Sequence, residues 1–291
     1  MSNLHEKAVL VKLTSHKPTL MRRADDKTAQ LQQLTDDKAA AAYVKLFKFR
    51  TPVQEVLSRH REVIRLHQRL TLPYEDRGPR LLPNARYLDY TTQMRTAMDS
   101  VAEWFDQHRA HYATYVGADC AARGWRVQPD EYPTIEQFED ALSHDLEFTP
   151  MPQLTHFLFD LSPADRAAFE QRQSAVADRA VDDALDRVRK PLDALLGKLQ
   201  TYAGQPGQRF SPALLRNLTS GISDMDALLL QDVPPALRAQ LDSLTTTLNA
   251  LLLDHTVLHD SGWIRADLTD QLHDARAVLT STTTATRTVA A

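Results

Sequence analysis

The stretch Val181–Tyr202, VDDALDRVRKPLDALLGKLQTY, decides the fold. Its apolar residues Val181, Leu185, Val188, Leu192, Leu195, Leu199 and Tyr202 step by 4-3-4-3-4-3. Leu237, Leu241, Leu244, Leu248, Leu251, His255 and Leu258 repeat the same steps. An apolar period of about 3.5 residues marks long helices that pack along a seam. Two such seams exceed what a small monomeric bundle needs. One ladder, Val181 to Tyr202, is therefore expected to pair between chains and make a homo-oligomer. An antiparallel hairpin within one chain is the other arrangement.

Helix boundaries around the ladders are readable. Ser162-Pro163-Ala164-Asp165 is a helix start, and the helix it opens runs to about Ala203 with Pro191 inside it, where a kink or split is expected. Ser211-Pro212 starts another helix, to about Leu230, and Pro234-Pro235 starts the second ladder helix, to about Leu258. A last helix spans about Trp263 to Leu279, and the Thr/Ala tail beyond it has no apolar period.

Upstream, Ala8–Leu13 reads as a short strand, and a polar helix is expected over about Asp25 to Lys48. Pro52 to about Leu70 is an amphipathic helix, and about Ala85 to Ala122 is a long one with Leu88, Met94, Met98, Val101, Trp104, Phe105 and Tyr112 on its apolar side. Thr134 and Gln137 have capping-box spacing for a short helix from Ile135. Leu146–Phe148 and His156–Leu161 read as two further strands. The sequence thus predicts a mainly α protein. Residues 1–161 form an α+β unit with a small sheet, residues 162–280 a long-helix, coiled-coil-like bundle, and residues 281–291 a disordered tail.

Composition narrows the function. The chain of 291 residues has only 8 glycines, none clustered, so phosphate-cradling loops and nucleophile elbows are absent. Cys120 is the only cysteine, which excludes an intrachain disulfide and a CxxC metal knuckle and points to a cytoplasmic setting. The N-terminus lacks the apolar core of a secretory leader, and no apolar run approaches the roughly 20 residues that span a bilayer. Residues 1–70 hold 14 Lys/Arg and 7 Asp/Glu, and the remainder holds 20 and 31. That asymmetry suits either a polyanion-binding end or mutual packing of opposite charges.

The side-chain patterns carry little chemistry. Arg61, Arg65 and Arg69 lie four residues apart on one helical face with Arg59, His60 and His67 nearby, a stripe that can track phosphates. His255 and His259 have the i, i+4 spacing of a metal pair, but the segment His-Thr-Val-Leu-His lacks the glutamate of a zinc protease motif, and His255 falls on the ladder. Asp25-Asp26 and Asp36-Asp37 are adjacent pairs whose members point to different faces. Cys120 reads as a buried small hydrophobe. No catalytic residue, metal or cofactor is expected. The loop from Leu72 to Pro83, with three prolines, Gly78, Asp76, Arg77 and Arg80, is a candidate partner-binding loop or a rigid connector. As a connector it would bury Leu72, Leu81 and Leu82, put Gly78 at positive φ and hold Arg77 or Arg80 on a carboxylate.

The same loop carries a resemblance. Thr71-Leu72-Pro73-Tyr74-x-Asp76-x-Gly78-x-Arg80-x-Leu82-Pro83, followed by Tyr87, Tyr90 and Met94, resembles an uncharacterised family of tailed-phage and prophage proteins, with Tyr74 where a tryptophan is usual. Tyr132-Pro133-Thr134 and Phe148-Thr149-Pro150-Met151-Pro152 resemble further segments of it, so the likeness covers roughly residues 5–230. The family has no established catalytic residues. Some members are encoded near MoxR-type AAA+ ATPases and von Willebrand-type domains. The resemblance implies a non-enzymatic accessory or adaptor protein of the infected host cell, with a protein partner such as an AAA+ ATPase or another copy of the chain. The alternative is a nucleic-acid-binding accessory protein using Arg59, Arg61, Arg65 and Arg69.

Overall fold

The computed structural model describes residues 4–16, 20–35, 39–47, 52–74, 78–123, 128–152, 162–205, 208–228 and 234–290. The protein is mainly α-helical with a small sheet. In chain order the elements are α1 (Leu4–Lys7), β1 (Ala8–Ser15), β2 (Met21–Arg23), α2 (Asp25–Thr35), β3 (Tyr43–Lys45), α3 (Pro52–Leu70), β4 (Leu72–Pro73), β5 (Arg80–Pro83), α4 (Tyr87–His108), α5 (Tyr112–Arg123), α6 (Ile135–Asp140), β6 (His144–Thr149), α7 (Pro163–Thr201), α8 (Pro212–Leu228), α9 (Pro235–Leu253), α10 (Val257–Asp260) and α11 (Gly262–Ala290). The strands form a four-stranded sheet in the order β4-β5-β1-β6 and a separate ribbon, β2-β3.

The chain divides into two compact units. One comprises residues 1–12, 69–88 and 148–291, and the other residues 13–68 and 89–147. This differs from the expected cut at residue 161. The N-terminal strand and the proline loop belong with the helical bundle, because Ala8, Leu10, Leu72 and Leu81 are buried in the same apolar core as the two ladders.

In the bundle unit, α7 packs on α8 and α11, and α9 packs on α8 and α11. Val181, Leu185, Val188, Leu192, Leu195, Leu199 and Tyr202 are all buried within the chain. The ladder expected to pair between chains is instead buried within the chain: α8 and α11 supply the surfaces that face it. Ser162 caps α7, its hydroxyl accepting from Asp165 N at 3.1 Å. Pro191 does not split the helix. It removes the donor that would serve the Arg187 carbonyl, and Gly221 of α8 crosses just there. A Cβ on Gly221 would lie 2.2 Å from Arg187 O.

The proline loop is a hairpin. Leu72 pairs with Leu81 and Pro73 with Arg80, and β5 continues the sheet by pairing with Ala8–Val11. Leu72, Leu81 and Leu82 are buried, and Gly78 has φ of 142°. Two helix boundaries of the bundle unit differ from expectation. The second ladder helix stops at Leu253 because Asp254 Oδ1 accepts from Thr256 N and Oγ1 and turns the chain, so His255 and Leu258 lie beyond it. The last helix continues to Ala290, through a Thr/Ala sequence that contains no Gly or Pro to end it.

In the second unit α4, α5, α6 and Phe47 build an aromatic core. Trp104, Phe105, Tyr112, Phe138 and Phe47 are buried with ring centroids 5.2–6.4 Å apart. The expected single helix from Ala85 is interrupted by a tight turn at Arg109–His111, and Leu88, assigned to its apolar side, is exposed. The polar helix expected from Asp25 to Lys48 ends at Thr35, because the chain folds back on it. Thr28 Oγ1 exchanges hydrogen bonds with the backbone of Ala42, Gln32 donates to Ala40 O, and Tyr43–Lys45 then pairs with Met21–Arg23. Thr134 and Gln137 form the capping box that their spacing predicts. The strand expected at His156–Leu161 lies outside the described residues.

Candidate functional site

The sequence candidates fare differently. Arg59 of α3 is tied to Ser100 O and Glu55, each at 2.6 Å. Arg61, Arg65 and Arg69 are exposed, with Arg65 3.8 Å from Glu62. His60 and His67 are no part of that stripe: both are buried. His67 Nδ1 lies 2.8 Å from Tyr90 Oη. The ring of His60 packs 4.7 Å from that of His144 of β6, with Ser15 Oγ 3.4 Å from His60 Nε2. The partner loop is also corrected in part. Arg80 is half-buried and donates to Thr71 Oγ1 at 2.7 Å and to Thr71 O at 3.1 Å, so it holds the hairpin rather than facing a partner. Thr71 O and Arg69 O also accept from Arg187 of α7, which is paired with Asp183 at 3.0 Å. Asp76, Arg77 and the Asp36-Asp37 pair lie outside the described residues. Cys120 is half-buried rather than buried.

The sequence missed a buried acid beside it. Asp119 of α5 accepts from Phe47 N at 2.9 Å and from Tyr132 Oη at 2.6 Å. Phe47 has φ of 49°, a left-handed backbone held by that bond and by Gln54 donating to its carbonyl. Burial, then the bond to Asp119, pushes the Tyr132 phenol far above its ordinary range. Locked together this way, the group is structural.

The bundle presents a different kind of site at one end, where α7 ends, α9 ends and α11 begins. Helices α9 and α11 are joined only by the short α10 and pack against one another, so Leu253 and Trp263 emerge at the same end. They are 91% and 75% exposed. The surface beneath them is rigidly organised. Arg265 donates to the carbonyls of Leu258, His259 and Ala203 at 2.7, 3.0 and 3.2 Å. Gly204, at φ of 71°, lies so close that a Cβ would sit 2.4 Å from His259 O. Gln208 accepts from Ala203 N at 2.9 Å. Tyr202, the end of the first ladder, is buried with its hydroxyl 3.1 Å from His259 Nδ1. His259 is thereby engaged in the fold rather than paired with His255 for a metal. Asp254, Asp260 and Asp267 are exposed around the tip. Hydrogen bonds from Thr256 hold the Asp254 carboxyl below its usual range. This end of the bundle thus carries two exposed apolar side chains, a hydrogen-bonded turn between α9 and α11 and three exposed aspartates.

Sequence reasoning passed over Trp263, yet a signal exists. The buried stripe of α11 is Leu268, Leu272, Ala275 and Leu279. Ile264 continues it, so Trp263 falls about 100° away, on the open face. A separate cleft of about 360 Å3 lies between α8 and α9, floored by Ile222, Met225 and Leu241 and crossed by the exposed Arg238–Asp226 pair. Among the described residues, no group of three or more His, Cys, Asp or Glu side chains could hold a metal ion, and no helix is long and apolar enough to cross a membrane. No protein-family model, curated protein sequence or solved structure matches the chain.

Proposed function

We propose that this chain is a non-enzymatic adaptor that docks a protein partner on the tip formed by Leu253 and Trp263. The observation that carries the reading is the exposure of those two side chains at the bundle end where Arg265 ties the carbonyls of Leu258, His259 and Ala203 together. Large apolar side chains held rigidly in water are where binding energy concentrates, and tryptophan leads among such anchors. A fixed backbone also lowers the entropy cost of docking. The exposed aspartates favour a partner whose apolar pocket is bordered by Lys or Arg. Self-association through the Val181–Tyr202 ladder is not part of the proposal, since its side chains lie in the bundle core. An origin in a phage, and an AAA+ ATPase as the partner, rest on the motif resemblance alone.

The test is affinity purification from the producing cells with wild type and with the double variant Leu253→Ser, Trp263→Ala, alongside melting temperatures. A partner lost by a variant that melts like wild type supports the proposal. An unchanged set of bound proteins refutes it.

A further inference from the structure

We infer that the β2–β3 ribbon is a contact surface for single-stranded nucleic acid, with Tyr43 as its stacking platform. Ribbon register places Met21 opposite Lys45 and Arg23 opposite Tyr43. Residues directly opposite, and residues two apart on a strand, share one face of a ribbon. Met21, Arg23, Tyr43 and Lys45 are thus the four positions of a single face, and Arg22 and Val44 belong to the other. On that face Met21 is 54% and Tyr43 59% exposed, and Lys45 is exposed. The face is not loose. Ala24 N donates to Ala42 O at 2.8 Å, Leu46 N donates to Leu20 O at 2.9 Å, and Thr28 holds Ala42 from α2. Buried Leu20, Ala24, Leu46 and Phe47 anchor both strands from below.

An aromatic ring and a thioether that face water on a stiff ribbon offer a ready contact surface. Charge selects the occupant. Two of the four register positions of the face are basic, and residues 1–70 carry twice as many basic as acidic side chains. An exposed ring flanked by cations is how sequence-tolerant single-strand binders hold bases and track phosphates. Duplex DNA suits the face less, since its bases are already stacked on one another.

The experiment is fluorescence anisotropy of a labelled 20-residue oligothymidylate titrated with the full chain at several salt concentrations. Wild type is expected to bind at low salt, with affinity falling as salt rises. Tyr43→Ala should weaken binding about tenfold and leave the salt dependence alone. Tyr43→Phe, which keeps the ring, should bind like wild type. Lys45→Ala should lower the salt slope by about 0.7. No binding at low salt overturns the inference, as a protein occupant of this face would produce. Binding indifferent to Tyr43→Ala, or matched by inorganic polyphosphate of equal charge, overturns it as well. All three variants lie on the surface and should melt like wild type; a shared loss of melting temperature and binding would assign Tyr43 to the fold and overturn the inference too.

Discussion

Single residues set limits that the sequence hides. Buried His144 Nε2 has no hydrogen-bond partner among the described residues; its ring packs on that of His60, and Ser15 Oγ lies 3.4 Å from His60 Nε2. Desolvation, with a smaller contribution from His60, pushes the His144 pKa down to about 4. In the unfolded chain the group titrates near its ordinary value of about 6.5. Between those values the unfolded state binds more protons, so stability rises with pH across that window and is lost as pH falls from about 6.5 towards 4. The urea midpoint of wild type should therefore fall over this range more steeply than that of His144→Gln; parallel curves would contradict the assignment. Gly204 is a second case. Its positive φ and the closeness of His259 O both exclude a side chain. Gly204→Ala should cost about 1–3 kcal/mol in chemical denaturation. A glycine near a helix end is visible in sequence. That its neighbour is a carbonyl held by Arg265, 61 residues further on, is not.

At the level of elements, periodicity was the readable quantity and partner choice was not. The heptad steps of α7, those of α9 as far as Leu251, and the caps at Ser162 and Thr134 follow from spacing alone, and the structure contains them. Spacing says which face of a helix is apolar but not what covers it, which is why a seam closed by α8 and α11 reads equally well as one between chains. Short strands were missed for a related reason. Met21–Arg23 and Tyr43–Lys45 have no alternating apolar pattern, since three residues make no period and apolar Met21 and Tyr43 sit on the exposed face. The α7–α8 crossing gives an element-level prediction. Gly221→Ala places a methyl group against the Arg187 backbone and should destabilise the bundle by about 1–3 kcal/mol. Gly197→Ala, on α7 with open space at its Cβ, should be neutral or stabilising. Arg187 closes the hairpin onto α7 through Thr71 O, Arg69 O and Asp183. Arg187→Ala should cost about 1–2 kcal/mol in thermal or urea unfolding, because its charged hydrogen bonds vanish, while Arg80 still donates to Thr71 O and Arg69 is exposed. A change below about 0.5 kcal/mol would show that the hairpin is held by its leucines alone.

For the whole molecule, the division of labour is between a core that absorbs both ladders and surfaces that the core leaves out. Leu195 is fully buried. Leu195→Asp should therefore unfold the bundle unit, seen as loss of helical circular dichroism, rather than release folded monomers from an oligomer. Folded monomers appearing after that change would restore the intermolecular seam. How much of the candidate site was legible follows the same line. Tyr202 and His259 stand out in the sequence, one as the end of a ladder and the other as half of a histidine pair, but their shared hydrogen bond depends on α10 folding back over the end of α7. The proline loop stands out more, and its visible residues serve the hairpin. Leu253 and Trp263 carry no motif, because an anchor residue needs only to be large, apolar and outside every buried stripe. The central claim is that they are such anchors. It is tested most directly by placing a photo-crosslinking amino acid at position 263 in one protein and at exposed Asp274 of the same helix in another, then irradiating the producing cells. The account predicts a discrete crosslinked protein from position 263 and none from position 274. No adduct from 263, or the same adducts from both positions, would contradict it.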